Sequence, residues 1–220
     1  TGNVLDGSVL IVNTDLIGDI KIEGYEDLLN PALKGKIAAG DPVNSSSAFQ
    51  CLIAGLYGMG HGDPMSEDAW KWAEGFIANL DGVSLSSSSQ VYKGVAEGEY
   101  YVGLTWEDPA AAYVRDGVSV KVVFPEEGAI MSGQCVSIIK GAPHMDNAKK
   151  FVDYMLGEKC QSYVGKNLTV RPLRADAELN DSLTPWDNIV PLDSYDGEWV
   201  AANKASITEK YSEYLENFGG

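Results

Sequence analysis

The chain has 220 residues, 45% of them hydrophobic and 22% charged. That composition excludes global disorder and allows one large domain or two lobes of about 100 residues each. Sixteen Lys and Arg stand against 32 Asp and Glu, a formal charge of −16, and an acidic excess of this size excludes nucleic acid and anionic membrane surface as principal partners, because phosphates are neutralised by Lys and Arg.

No stretch approaches the roughly 18 apolar residues of a membrane span. Cys51, Cys135 and Cys160 form no C-x-x-C pattern, so neither a disulfide framework nor a zinc knuckle is implied.

Short apolar runs alternate with helical periodicities, which is the α/β pattern. Val9–Val12 reads as a buried strand, and residues 24–29 as a short helix halted by Pro31. Residues 36–39 read as a second strand leading into Gly40-Asp41-Pro42. The apolar run 48–56 suits a buried helix, and 65–80 is amphipathic, with Ala69, Trp72 and Phe76 at helical spacing. Residues 84–89 form a serine-rich loop ahead of a short helix over 90–96. Strands are expected at 100–105, 118–124 and 134–139, with a helix over 109–115 between the first two. Residues 144–156 predict a helix that turns Ala148, Phe151, Val152 and Met155 to one face. Residues 180–197 read as loop, and 199–218 as a long terminal helix.

Three segments have chemical potential. Asn44-Ser45-Ser46-Ser47 runs from a strand end into a helix, which sets hydroxyls and free backbone N–H groups at the positive end of a helix dipole. The same residues also serve as an ordinary N-cap. Ser86–Ser89 repeats the arrangement, and two such helix starts in an α/β chain suggest convergence on one crevice; a plain flexible loop has the same composition. Thr105-Trp106-Glu107-Asp108-Pro109 brings an indole beside carboxylates, where a cation or sugar ring could sit, although Asp-Pro is also common at a helix start.

Tyr100 and Tyr101 are adjacent in a strand and point to opposite faces, so they do not share a metal ion. His61 and His144 have no Cys or acid at ligand spacing. No nucleophile elbow, zincin, P-loop or dinucleotide motif occurs.

The segments GYEDLLNPALKGKIAAGDPVNSSSAF, VYKGVAEGEYYVGLTWEDPAA, VKVVFPEEG and HMDNAKKFVDYMLGEKCQ together resemble the bacterial ABC-transporter solute-binding proteins. The branch is the type 2 periplasmic-binding-protein group with ferric-iron-, phosphonate- and polyamine-binding members. The resemblance implies an α/β fold of two lobes that close by hinge bending on a ligand between them. It also implies a further N-terminal stretch ahead of this chain, so lobe one is expected to be incomplete here. Residues 36–125 would then form the core of lobe two, 180–220 would pack on it, and 1–35 with 126–179 would make up partial lobe one, with Val9–Val12 and 135–139 as its small sheet.

By the same resemblance, the anion-holding turn falls on Ser46, Ser47 and Ala48, a second contact on Ser88 and Ser89, and the strand-to-helix corner on Thr105, Trp106 and Glu107. The tyrosine pair of iron-binding members is replaced by Asp108 and Pro109, which favours an anionic or phosphorylated organic solute over ferric iron. No catalytic residue, metal or cofactor is implied.

The expected partners are the small-molecule solute and the permease subunits, outside the cytoplasm. Membrane contact is expected only through a lipid anchor on the preceding segment, and association with that segment or with a second copy is expected too. The alternatives are a ferric-iron receptor with other ligands and a carbohydrate-active enzyme using Glu107 and Asp108.

Overall fold

The computed structural model describes residues 1–218. Its organising element is one strand, β1 (Gly2–Asn13), which belongs to two sheets. The second half of β1 pairs antiparallel with β3 (Val102–Trp106) through Ser8–Val12 and with β4 (Val120–Val123) through Leu10–Asn13. With β2 (Ile37–Ala38), parallel to β3, this gives the order β2-β3-β1-β4. The first half of β1 pairs antiparallel with β5 (Met131–Cys135) and β6 (Arg171–Pro172).

β1 changes sheets at Gly7, which faces Met131, and Ser8, which faces Trp106. A Cβ at Gly7 would lie 2.5 Å from the Phe124 ring and 3.1 Å from Met131 Sδ, so a larger residue here would have to displace the Phe124 ring.

The β2-β3-β1-β4 sheet is covered on both faces, the arrangement of α/β layers. One face carries α1 (Ser46–Met59), α2 (Glu67–Leu80) and α7 (Gly197–Phe218), with Leu10, Val12, Leu104, Ile53, Trp72, Phe76, Ile207 and Tyr211 in its core. Tyr25 and Phe76 both pack on Trp72, whose indole N–H donates to the Tyr25 carbonyl at 2.9 Å. The other face carries α3 (Ser88–Ala96) and α4 (Glu107–Arg115), packed on Val9, Ile11 and Ala38 through Val91, Val95 and Ala110.

Caps fix the helix starts: Ser45 Oγ accepts from Ala48 N–H, and Ser66 Oγ from Ala69 N–H, each at 3.2 Å.

Several expectations are corrected. Val9–Val12, expected in a small sheet with 135–139, pairs with β3 and β4 instead, and Ile17, Ile22, Tyr25, Leu28 and Leu33 bury in the same core as α2. The strand expected at 134–139 lies at 131–135, because β5 follows the register of β1 rather than its own β-branched residues. Residues 26–29 and 31–33 form two 3-10 turns joined at Asn30, whose side chain accepts from Ala32 N–H.

Around the smaller sheet lie α5 (Met145–Leu156) and α6 (Glu158–Asn167), the latter without an expected counterpart. Gln161 ties α6 down: its amide donates to the Asn3 and Met155 carbonyls and accepts from Leu173 N–H. No residue of α5 is buried: on the expected apolar face Ala148, Val152 and Met155 are half-buried and Phe151 is 62% exposed.

Candidate functional site

A cleft of about 330 Å³ opens where the two sheets meet. Its walls are Ser46, Ser47 and Gln50 from the first turns of α1, Trp106 from the end of β3, Asp6 from β1, and Ser132 and Gln134 from β5. Asp6 and Ser132 face each other directly in the β1–β5 ladder, and Gln134 lies two positions on, on the same face. Both sheets therefore contribute to the cleft.

The hydroxyls and amides have fixed roles. Trp106 Nε1–H donates to Ser47 Oγ at 2.9 Å, which leaves the Ser47 proton free to turn toward the cleft. Gln50 Oε1 accepts from the Tyr195 hydroxyl at 3.1 Å, which directs the Gln50 NH₂ donors elsewhere. Ser45 caps Ala48 N–H, whereas the N–H groups of Ser46 and Ser47 have no acceptor among the described residues. The positive end of α1 thus carries open donors at the cleft wall.

Asp6 is the one charged residue in this lining and is only 9% exposed. Burial pushes its carboxyl up to about 7, and the neighbouring charges of Asp108 and Glu107 add to the effect. Hydrogen bonds from the backbone N–H groups of Asp108 and Gly7 offset it in part. The Asp108 N–H···Oδ1 distance is 3.1 Å. The Cys51 thiol, on the buried side of α1, is pushed up to about 12 by burial first and by Asp6 second.

The structure brings Ser46, Ser47 and Trp106 together and sets the other expected residues apart. Ala48 is buried beneath Gly40, and its N–H is already capped. Ser88 and Ser89 lie outside the cleft lining: the run is a helix start in which Gln90 Oε1 accepts from Ser87 N–H and Ser86 Oγ, and the Ser87 and Ser89 hydroxyls bond each other. Thr105 is buried; its carbonyl accepts from Cys51 Sγ, and its hydroxyl has no partner.

Glu107 is 1% exposed and held by Arg171 through both oxygens, with Thr184 N–H on Oε1 as well. It is an anchor inside the protein rather than a contact in the cleft. Asp108 accepts from the Thr169 hydroxyl at 2.6 Å.

Tyr101 packs on the α1/α2 side under Lys36 Nζ, and Tyr100 on the α3/α4 side, as adjacent strand residues must. Among the described residues, no group of three or more His, Cys, Asp and Glu is placed to hold a metal ion. Among the described residues, no helix is long and apolar enough to cross a membrane.

Sequence reasoning missed Asp6, Gln50, Ser132 and Gln134. Asp6-Gly7 has the composition of a turn, and only the alternation of Ser132 and Gln134 hinted at a strand face. A larger hollow of about 570 Å³ lies at the other end of α1, among Tyr57, His61, Glu126 and Leu192. It lacks a helix N-terminus and takes nothing from β5 or β6, so the smaller, two-walled cleft is the better candidate.

Comparison with known proteins agrees with this architecture. The sequence profile of the bacterial extracellular solute-binding proteins matches residues 6–194, and the chain belongs to that family. Iron uptake protein A1 of Synechocystis sp. is 27% identical over 188 residues, which are 80% of this chain and 50% of that protein. The spermidine/putrescine-binding periplasmic protein of Escherichia coli is 25% identical over 217 residues, 93% of this chain and 60% of that protein. The chain thus spans 50–60% of the length of these curated relatives.

Among solved structures, the periplasmic binding protein AfuA from Actinobacillus pleuropneumoniae, with exogenous fructose-6-phosphate bound, superposes with a TM-score of 0.75 at 23% identity. The match covers 99% of this chain and 68% of that one. The fold is that of the two-lobed periplasmic binding proteins.

Proposed function

We propose that this chain is the ligand-holding part of an extracytoplasmic receptor for an ABC importer, and that it captures a small organic solute with an acidic group at the start of α1. The observation that carries this reading is the convergence of Ser46, Ser47 and Trp106 with Ser132 and Gln134 in one cleft at the junction of the two sheets. Open N–H groups at a helix start receive an anion without a basic side chain, which suits a cleft whose lining contains no Lys, Arg or His.

Trp106 holds the Ser47 hydroxyl in place, and β1 is the element about which the two walls would close. Glu107 and Arg171 serve as the anchor behind Trp106, and permease subunits are the partners that would receive the solute.

The test is thermal unfolding of the intact gene product against phosphonates, sugar phosphates, polyamines and ferric salts. A ligand at 100 times its Kd stabilises by about 2.7 kcal/mol. Saturable stabilisation by an acidic organic solute that is recovered unchanged is the expected result. Stabilisation by ferric salts alone, with a visible absorption band, would establish the iron reading instead. Turnover of a glycoside by the intact gene product would establish the enzyme instead.

A further inference from the structure

The two walls of the cleft are tied together on one side only. At the start of α4, Asp108 N–H donates to Asp6 Oδ1 at 3.1 Å, and the Thr169 hydroxyl donates to Asp108 Oδ1 at 2.6 Å. Glu107 beside them is held through both oxygens by Arg171. Asp6 and Arg171 belong to β1 and β6, which pair in the smaller sheet with Leu5 facing Arg171. On the α1 side, among the described residues, no hydrogen bond joins Ser46, Ser47 or Gln50 to Ser132 or Gln134.

Three carboxylates therefore meet at the tied side with one cation. Arg171 is taken by Glu107, and Asp108 has the Thr169 hydroxyl. What faces Asp6 from the other elements is neutral: Ser132 across the ladder from β5, and the Cys51 thiol from α1. The Asp6 carboxyl accepts from Asp108 N–H in either protonation state. Once ionised, however, it is repelled by Asp108 and Glu107 and lacks the water that would stabilise its charge. Opening of the cleft lets that water in.

From this geometry we propose that the start of α4 is a latch across the two sheets, kept shut by the proton on Asp6 and released when that proton is lost. The proposal rests on the two-walled receptor reading above and adds regulation to it: solute is held less tightly as the surroundings turn alkaline. Burial first, then the charges of Asp108 and Glu107, bring the Asp6 carboxyl up to about 7, so the latch works between about pH 6 and pH 8. His61 and His144 lie outside it, at the far end of α1 and just ahead of α5.

The experiment is double electron–electron resonance on the intact gene product without solute. Spin labels go on Lys93→Cys in α3, against the larger sheet, and Lys149→Cys in α5, beside the smaller one; both lysines are exposed. Cys135→Ser and Cys160→Ser remove the accessible native thiols, and Cys51 is buried. From pH 6 to pH 8 the ratio of long-distance to short-distance populations should rise about tenfold, the limit for one proton released on opening. Asp6→Asn should hold that ratio constant. Asp108→Asn removes one repelling charge and should move the transition to lower pH, so the proposal stays testable where Asp6→Asn does not fold.

A ratio that does not change with pH in the protein with Asp6 intact would overturn the latch. A pH response that persists in Asp6→Asn would overturn it too, by assigning the response to another group. Neither result touches the receptor reading, which stands or falls on the thermal shift with acidic solutes.

Discussion

Arg171, on β6, grips Glu107, the first residue of α4, with Nε on Oε2 at 2.9 Å and Nη2 on Oε1 at 2.5 Å, and neither side chain is more than 1% exposed. Nη2 also donates to the Thr184 carbonyl at 2.7 Å, and the guanidinium lies 4.4 Å over the Trp186 ring. The pair joins the smaller sheet to the larger one directly behind Trp106. Removing one partner leaves the other charge buried and unpaired, so Arg171→Met or Glu107→Gln should each cost about 3–5 kcal/mol in urea unfolding. The double variant Glu107→Leu/Arg171→Met should regain much of the loss, because neither charge is then stranded. A double variant no more stable than the worse single one would show that the pair does more than balance charge.

Asp6 makes stability depend on pH with a definite sign. Its carboxyl titrates at about 7 in the folded chain against an ordinary value of 3.8, so the folded state holds the proton that the unfolded state has released. The stabilisation is complete below about pH 4 and is lost as pH rises to about 7, by an amount on the order of 4 kcal/mol. Asp6→Asn keeps an acceptor for Asp108 N–H and never ionises. Without ligand it should therefore melt higher than the wild type at pH 8 and at the same temperature at pH 4. A melting difference independent of pH would rule out ionisation of Asp6 as its cause.

The layered α/β class and most of the helices were legible in the sequence because they rest on local signals. Ala69, Trp72 and Phe76 repeat at helical spacing in α2, and Ser45 and Ser66 cap their helices directly. The Ser46-Ser47 turn was legible for the same reason. What escaped was non-local. Asp6 and Gly7 look like a turn until Met131 and Phe124 are known to lie against them, and Arg171 reaches Glu107 across 64 positions. The serines at 86–89 stand at a helix start that bonds within itself, and such a start has the same composition as one that receives an anion.

Ser47 separates the two contributions of the α1 start. Ser47→Ala removes the acceptor of Trp106 Nε1–H and one hydroxyl but keeps the backbone N–H. It should weaken solute binding by about 1 kcal/mol. Ser47→Pro also removes the N–H, yet the first helical turn tolerates proline, so its melting temperature should stay close to that of the alanine variant while its affinity falls further. Equal affinities of the wild type and both variants would exclude the α1 start as the anion subsite.

The open face of the smaller sheet's helices leads to the last prediction. Phe151 and Tyr154 on α5 and Tyr163 on α6 are 62%, 55% and 61% exposed, and Ile139, ahead of α5, is 83% exposed. Helices with an apolar stripe normally bury it, and burying each such side chain is favourable by about 1.5–3 kcal/mol. Large apolar side chains left at a surface promote association where they adjoin. The 220-residue chain should therefore show concentration-dependent self-association in sedimentation velocity. Phe151→Ser with Tyr154→Ser should abolish it without lowering the melting temperature by more than about 1 kcal/mol in equivalent stability, since exposed positions contribute little to folding. The Ser46 cleft should remain accessible in both forms, because its walls belong to α1, β3 and the inner ends of β1 and β5. A chain that stays monomeric at every concentration, with its melting point unchanged by the two serines, would show that this face needs no cover.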